Sequence, residues 1–124
     1  MSDNTQTVRE AYDCFARGDI PSLIEMMSDE VDWETPGILP QSGTFRGHDG
    51  VGEFFAGVAE NWSELEVNPS DLIANGSTVV SLGEARGKLA NGDAAEYRFS
   101  HEFTLADGKI LRFRESVMAD DKIG

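Results

Sequence analysis

The chain has 124 residues, with 23 acidic and 10 basic side chains, a formal net charge of −13, one cysteine and 40% hydrophobic residues. A length near the commonest domain size implies one domain over residues 1–124. So acidic a balance repels phosphate backbones and anionic bilayers, which argues against nucleic-acid and membrane partners. Cys14 has no partner for an internal disulfide, the opening MSDNTQ lacks a basic stretch followed by an apolar run, and no apolar segment approaches the roughly 20 residues of a bilayer span, so a cytoplasmic protein is expected.

Val8, Ala11, Tyr12 and Phe15 recur at helical spacing and Gly18 stands where a C-terminal cap falls, which predicts a helix over about 4–17. A second, shorter helix follows, with Asp19 as N-cap, Pro21 in its first turn and an apolar stripe of Ile20, Leu23, Ile24 and Met27. Val31 to Thr35 alternates like a strand and stops at Pro36. Residues 36–47, with two prolines and three glycines, read as a long loop. Asp49 can cap a third helix whose stripe is Val51, Phe54, Phe55, Val58 and Trp62. From about residue 65 the period becomes two, so three helices are followed by a curved antiparallel sheet, ending in a frayed tail over Ala119 to Gly124.

Strand register can be argued from the turns. Asn91-Gly92 is a strong two-residue hairpin signal. Centring a turn there places Arg86 opposite Tyr97, Glu84 opposite Phe99, Leu82 opposite His101 and Val80 opposite Phe103. For the next hairpin, a three-residue Ala106-Asp107-Gly108 loop puts Leu111, Phe113, Glu115 and Val117 on the apolar face, whereas a two-residue loop would put Arg112 and Arg114 there; the hydrophobic pattern selects the first. On that reading Glu115 lies opposite Phe99.

The resulting core face carries four ionisable groups: Glu84, Arg86, His101 and Glu115. Glu84 and Glu115 flank Phe99, about 9 to 10 Å apart at the backbone by strand spacing. Glu84 and Arg86 are open to a plain reading, as a pair at the end of the sheet. Glu115 is less so: between Phe113 and Val117, an unpaired carboxylate would cost several kcal/mol or become hard to ionise. A carboxyl of that kind beside a histidine suits general acid/base chemistry. Tyr12, Trp33, Phe55, Tyr97, Phe99 and Phe113 are core aromatics, and substrate walls where the core is hollow. His48 is explained by capping or loop packing, Cys14 by core filling. Two histidines far apart in sequence do not make a metal site, and phosphate loops, nucleophile elbows and dinucleotide fingerprints are absent.

Val8-Arg9-Glu10-Ala11-Tyr12, the break Arg17-Gly18-Asp19, the strand Val31-Asp32-Trp33-Glu34, the run Gly43 to Val51 with Phe54-Phe55, and the ending His101-Glu102-Phe103 through Asp107-Gly108-Lys109-Ile110 to Arg112-Phe113-Arg114-Glu115 together resemble the SnoaL-like family. That family belongs to the nuclear transport factor two-like superfamily of conical α+β barrels, in which a strongly curved, mostly antiparallel sheet wraps around N-terminal helices. The resemblance implies a deep pocket between sheet and helices and a homodimer packed through the sheet. The superfamily hosts cyclases, ketosteroid isomerases, limonene epoxide hydrolases, dehydratases and non-catalytic binders, so the fold does not fix the activity.

Matched position by position, the general-base aspartate of the ketosteroid isomerases falls at Thr35, their oxyanion-hole tyrosine at Ala11 with Tyr12 one step off, and their second aspartate at His101. These departures argue against steroid isomerisation. The two aspartates of the epoxide hydrolases fall near Glu84 and Glu115, but their arginine falls at Leu82 while Arg86 follows the carboxylate. The expectation is a cofactor-independent enzyme moving protons on a small, apolar or aromatic substrate, by cyclisation, isomerisation or dehydration. Glu115 and His101 are its acid/base pair, and Glu84 and Arg86 its orienting groups. The alternatives are water addition between Glu84 and Glu115, and a non-catalytic ligand-binding or dimerisation module.

Overall fold

The structure, a computed structural model, describes residues 3–119 and 123. Helix α1 (Asn4–Arg17) is opened by Asp3, whose carboxylate accepts from the Thr5 N–H, and closed by Gly18 in the left-handed conformation. Helix α2 (Ile20–Glu25) starts at Asp19, which accepts from the Ser22 N–H. The first strand is longer than its alternation suggests, β1 (Met27–Thr35). The loop expected over 36–47 ends early in a short strand, β2 (Gly43–Arg46). Helix α3 (Gly47–Asn61) begins before Asp49, which sits in the first turn and favours the helix dipole there. Trp62 is not part of the α3 stripe: it ends the helix with extended backbone and starts β3 (Trp62–Asn75). Strands β4 (Thr78–Leu89), β5 (Ala94–Ala106) and β6 (Lys109–Met118) complete the chain's elements. Among the described residues, no helix is long and apolar enough to cross a membrane.

The strands form one six-stranded sheet in the order β2-β1-β6-β5-β4-β3, with β1 parallel to β6 and every other pair antiparallel. Helix α3 packs on β1 and α1 lies over β3 and β4, so the core fills the space between the helices and one face of the sheet. Ala119 and Ile123 are described, and Ile123 is not frayed: it is buried and its N–H donates to the Ile38 carbonyl at 2.8 Å. The rest of the expected tail, 120–122 and 124, lies outside the described residues.

The β4–β5 register differs from the expected one by a single residue. The turn is a three-residue loop, Ala90-Asn91-Gly92, closed by the Leu89 N–H to the Asp93 carbonyl and by the Gly92 N–H to the Leu89 carbonyl, with Gly92 at φ 94°. The inner pairs are therefore Val79 with Phe103, Ser81 with His101, Gly83 with Phe99 and Ala85 with Tyr97. Small residues on β4 stand against large ones on β5. On the outer face the slip aligns opposite charges, Glu84 with Arg98 and Arg86 with Glu96, an arrangement that stabilises each pair.

The β5–β6 hairpin also departs from expectation, in two steps that cancel. Its loop has two residues, Asp107 and Gly108, both with positive φ. A bulge then follows, because Leu105 pairs with Ile110 but Thr104 with Arg112, leaving Leu111 as the extra residue. The bulge returns Phe113, Glu115 and Val117 to the inner face, as the hydrophobic pattern requires, but sets Glu115 opposite His101 and Val117 opposite Phe99.

Close approach of β3 over β4 depends on glycine. A Cβ at Gly83 would lie 2.3 Å from the Asn68 carbonyl oxygen and 2.7 Å from the Phe99 ring, and one at Gly87 would lie 2.0 Å from the Glu64 carbonyl oxygen. Backbone cannot yield as a flexible side chain does. Gly83→Ala is expected to cost about 1–3 kcal/mol, the range for overpacking a filled core, measured as a lower denaturant midpoint in equilibrium unfolding.

Candidate active site

His101 and Glu115 face each other across β5 and β6, and Tyr12 reaches them from α1. His101 Nε2 lies 2.8 Å from Glu115 Oε2, and His101 Nδ1 lies 2.6 Å from the Tyr12 hydroxyl. The His101 and Glu115 side chains are only 8% and 6% exposed, so this is a buried chain of three polar groups and not a surface pair. With Glu115 ionised, its carboxylate can only accept, and the bond to it is donated by the His101 Nε2–H. Nδ1 of the neutral ring is then an acceptor and takes the Tyr12 O–H. Each donor in the chain has an acceptor. The Phe99 ring, stacked on the imidazole with centroids 3.9 Å apart, and Phe113 at 4.9 Å hold the ring in plane.

The chain opens onto a cavity of about 70 Å³, lined by Tyr12, His101 and Glu115 and by the expected wall residues Trp33, Phe55, Tyr97 and Phe113. Phe99 does not line it and acts from behind His101. The cavity is small beside ligand pockets, which commonly run about 300–1,000 Å³. It is narrower than a deep pocket because aromatic side chains crowd it, Trp33 stacking on Phe113 at 3.8 Å and Phe54 meeting Phe55 at 5.0 Å.

Glu84 and Arg86 do not join this site. The one-residue slip of β4 turns both to the outer face, where Arg86 meets Glu66 of β3 at 3.5 Å and is well exposed. They therefore neither orient groups in the cavity nor pair with each other, and a water held between Glu84 and Glu115 has no geometric basis. His48 plays a packing part: its Nε2 lies 2.9 Å from the Met27 carbonyl oxygen, tying the start of α3 to β1. Cys14 is buried, with the Arg17 guanidinium 3.4 Å from its sulfur. Among the described residues, no three His, Cys, Asp or Glu side chains converge as a metal site requires.

Two buried polar residues, of which Gln41 lines the cavity, were not apparent from sequence periodicity. Gln41, in the loop after β1, is buried and accepts from the Trp62 indole N–H at 3.0 Å, while its backbone carbonyl accepts from the Thr35 hydroxyl at 3.0 Å. Ser81, opposite His101, is fully buried. No period marks a glutamine in a Pro- and Gly-containing loop. The small residues at 81, 83 and 85 did carry a signal, because they alternate with charges that complement β5.

Burial pushes the phenols of Tyr12 and Tyr97 well above their ordinary pKa, and the charge of Glu115 pushes both the same way; for Tyr12 the Ser81 hydroxyl acts in the opposite sense. A raised phenol pKa means that the folded state holds its proton more tightly. The associated stability is complete below the ordinary value of 10.0 and is lost as pH rises above it. The chain has only these two tyrosines, so native protein should show no ultraviolet phenolate band until alkaline unfolding exposes them. Tyr12→Phe should lose less stability between neutral pH and pH above 10, while starting about 1–3 kcal/mol lower because His101 Nδ1 loses its partner. Denaturant unfolding at the two pH values checks both.

Comparison with known proteins places this chain in a family. Residues 8–113 match the SnoaL-like domain. An NTF2-like protein of unknown function from Burkholderia pseudomallei K96243 is similar in structure with a TM-score of 0.88 and 32% identity, covering 95% of this chain and 92% of that one. TerC, co-crystallised with polyporic acid, has a TM-score of 0.84 and 28% identity over 94% of this chain and 92% of its own. An uncharacterised protein of Mycobacterium tuberculosis H37Rv is 29% identical over 110 residues, 87% of this chain and 83% of that protein.

Proposed function

Since the chain belongs to the SnoaL-like domain family, we propose that it is a cofactor-independent enzyme that moves a proton within a small, largely apolar substrate, by cyclisation, isomerisation or dehydration. The observation that carries this reading is the buried, fully paired chain Tyr12–His101–Glu115 opening on an apolar cavity. Glu115 is the base. One of its oxygens is engaged by His101, which leaves the other to take a proton from a substrate carbon and to return it elsewhere on the same molecule. His101 is the positioning residue: its N–H fixes the carboxylate and disperses its charge, while Tyr12 fixes the tautomer through Nδ1. Isomerisation and ring closure by this route consume no water and no redox equivalent, in keeping with two-way proton traffic at one carboxylate.

Entry of a ring-sized substrate requires the aromatic wall to part, since the resting cavity is small. TerC, a relative co-crystallised with polyporic acid, supports a small organic molecule as the ligand class. A homodimer packed through the outer sheet face belongs to the same reading and is supported by Leu82 and Met118, which stand 39% and 66% exposed there.

The reading is tested on an identified substrate. Glu115→Gln should lower kcat by at least about 10²-fold, the low end for removing a positioned acid/base group, with KM little changed. His101→Ala should lower it as well, through loss of the fixed carboxylate. Full turnover in both variants would refute the assignment. For isomerisation or ring closure, deuterium at the substrate carbon that loses the proton should appear in part at the position that gains it, whereas labelled solvent oxygen should not enter the product.

A further inference from the structure

The acid/base chain spends its donors internally. The Tyr12 O–H faces His101 Nδ1 and the His101 N–H faces Glu115, so neither is free for a substrate oxygen. A carbon acid that loses a proton to Glu115 builds negative charge on an adjacent carbonyl oxygen, which needs donors from elsewhere in the cavity. Trp33 and Gln41 are the candidates. Trp33 is buried, lines the cavity, and its indole N–H has no partner among the described residues. Indole can only donate, so this group calls for an acceptor. An orphaned buried donor is costly enough to call for a reason.

Gln41 is buried in the same cavity wall. Trp62 donates to its side-chain oxygen, and because an indole cannot accept, the oxygen's identity is settled and the amide nitrogen occupies the other position. That nitrogen has no hydrogen-bond partner among the described residues. Thr35 holds the Gln41 backbone through its hydroxyl, and Thr35 lies two residues after Trp33 on the same face of β1. Both donors are thus tied to the same end of one strand, next to β6, which carries Glu115.

We propose that Trp33 Nε1–H and the Gln41 side-chain N–H groups form an oxygen-binding subsite, which selects aromatic or alicyclic ketones and holds the enolate oxygen formed when Glu115 removes the neighbouring proton. The role of the enolate rests on Glu115 acting as base, whereas the selection of an oxygen does not. Tyr97, whose ring also lines the cavity, is the rival donor.

The test uses binding, so that it stands apart from turnover. Acetophenone and ethylbenzene have nearly the same shape and differ by one oxygen. The chain has two tryptophans, so a nitrogen-edited proton spectrum shows two indole signals, and Trp33→Phe identifies that of Trp33 by its loss. Acetophenone should move the Trp33 indole proton downfield and ethylbenzene should not. Acetophenone should also bind about tenfold more tightly, the size of one good net hydrogen bond. Gln41→Glu, which keeps an acceptor for Trp62 but removes the amide donors, should abolish that preference. Glu115→Gln should retain it even if the acid/base reading fails. The subsite is refuted if the two probes bind equally or not at all, if the Trp33 signal is unmoved by acetophenone, or if the preference is lost in Tyr97→Phe and kept in Gln41→Glu.

Discussion

A buried imidazole needs a partner at each ring nitrogen, because leaving either polar atom orphaned costs about as much as the hydrogen bond it would have made. In this protein that requirement falls on His101, and its two partners come from opposite sides of the core: Glu115 from the neighbouring strand and Tyr12 from the first helix. The two bonds therefore fix the register of β5 against β6 and the placement of α1 over the sheet. Two strands of one hairpin and a helix 89 residues away in the chain meet at one ring.

The rest of the sheet serves that meeting. Gly83 leaves the space that the Phe99 ring fills, and Phe99 in turn stacks on His101. Ser81 and Ala85, on the same face of β4, are small where β5 is large. The taper lets β3 close over β4 without pushing the aromatic residues of β5 out of the core. The bulge at Leu111 does comparable work on the other side, restoring Glu115 to the inner face after a two-residue turn that would otherwise have turned it outward. Electrostatics on the outer face reinforce the same register, with Glu84 opposite Arg98, Arg86 opposite Glu96 and Glu102 opposite Arg114.

A site assembled in this way is tight. Donors and acceptors within Tyr12, His101 and Glu115 satisfy one another, so the resting cavity makes few demands on a ligand beyond apolar fit and an oxygen for the spare donors of Trp33 and Gln41. The proposed acid/base group is thus separate from the proposed oxygen-binding groups, and each can be altered without the other. Members of a family that share the fold and differ in chemistry need only change one of the two.

Much of this was legible from residue order alone. Helical periodicity and the capping residues Gly18 and Asp19 define the first two helices, and strict alternation from Tyr97 to Phe103 assigns His101 to the core side. Local propensity determines such features because neighbours a few residues apart carry the whole signal. Glu115 was read as inward for a sound reason, the apolar residues at 113 and 117, although through the wrong turn. Glu84 and Arg86 were read as inward because a two-residue turn was centred on Asn91-Gly92, and a one-residue slip exchanges every side chain between the faces. Only the folded sheet decides that slip, since it is set by what lies opposite: charges on one face that need their complements, and aromatic rings on the other that need glycine, serine and alanine beneath them. Gln41 and Tyr12 likewise acquire their roles from contacts with Trp62 and His101, which lie 21 and 89 residues away in the chain. The sequence alone determined most of the residues of α1 and β5 that enter the core; the pairing of distant elements, which no local pattern encodes, decided the inward face of β4 and which residues form the site.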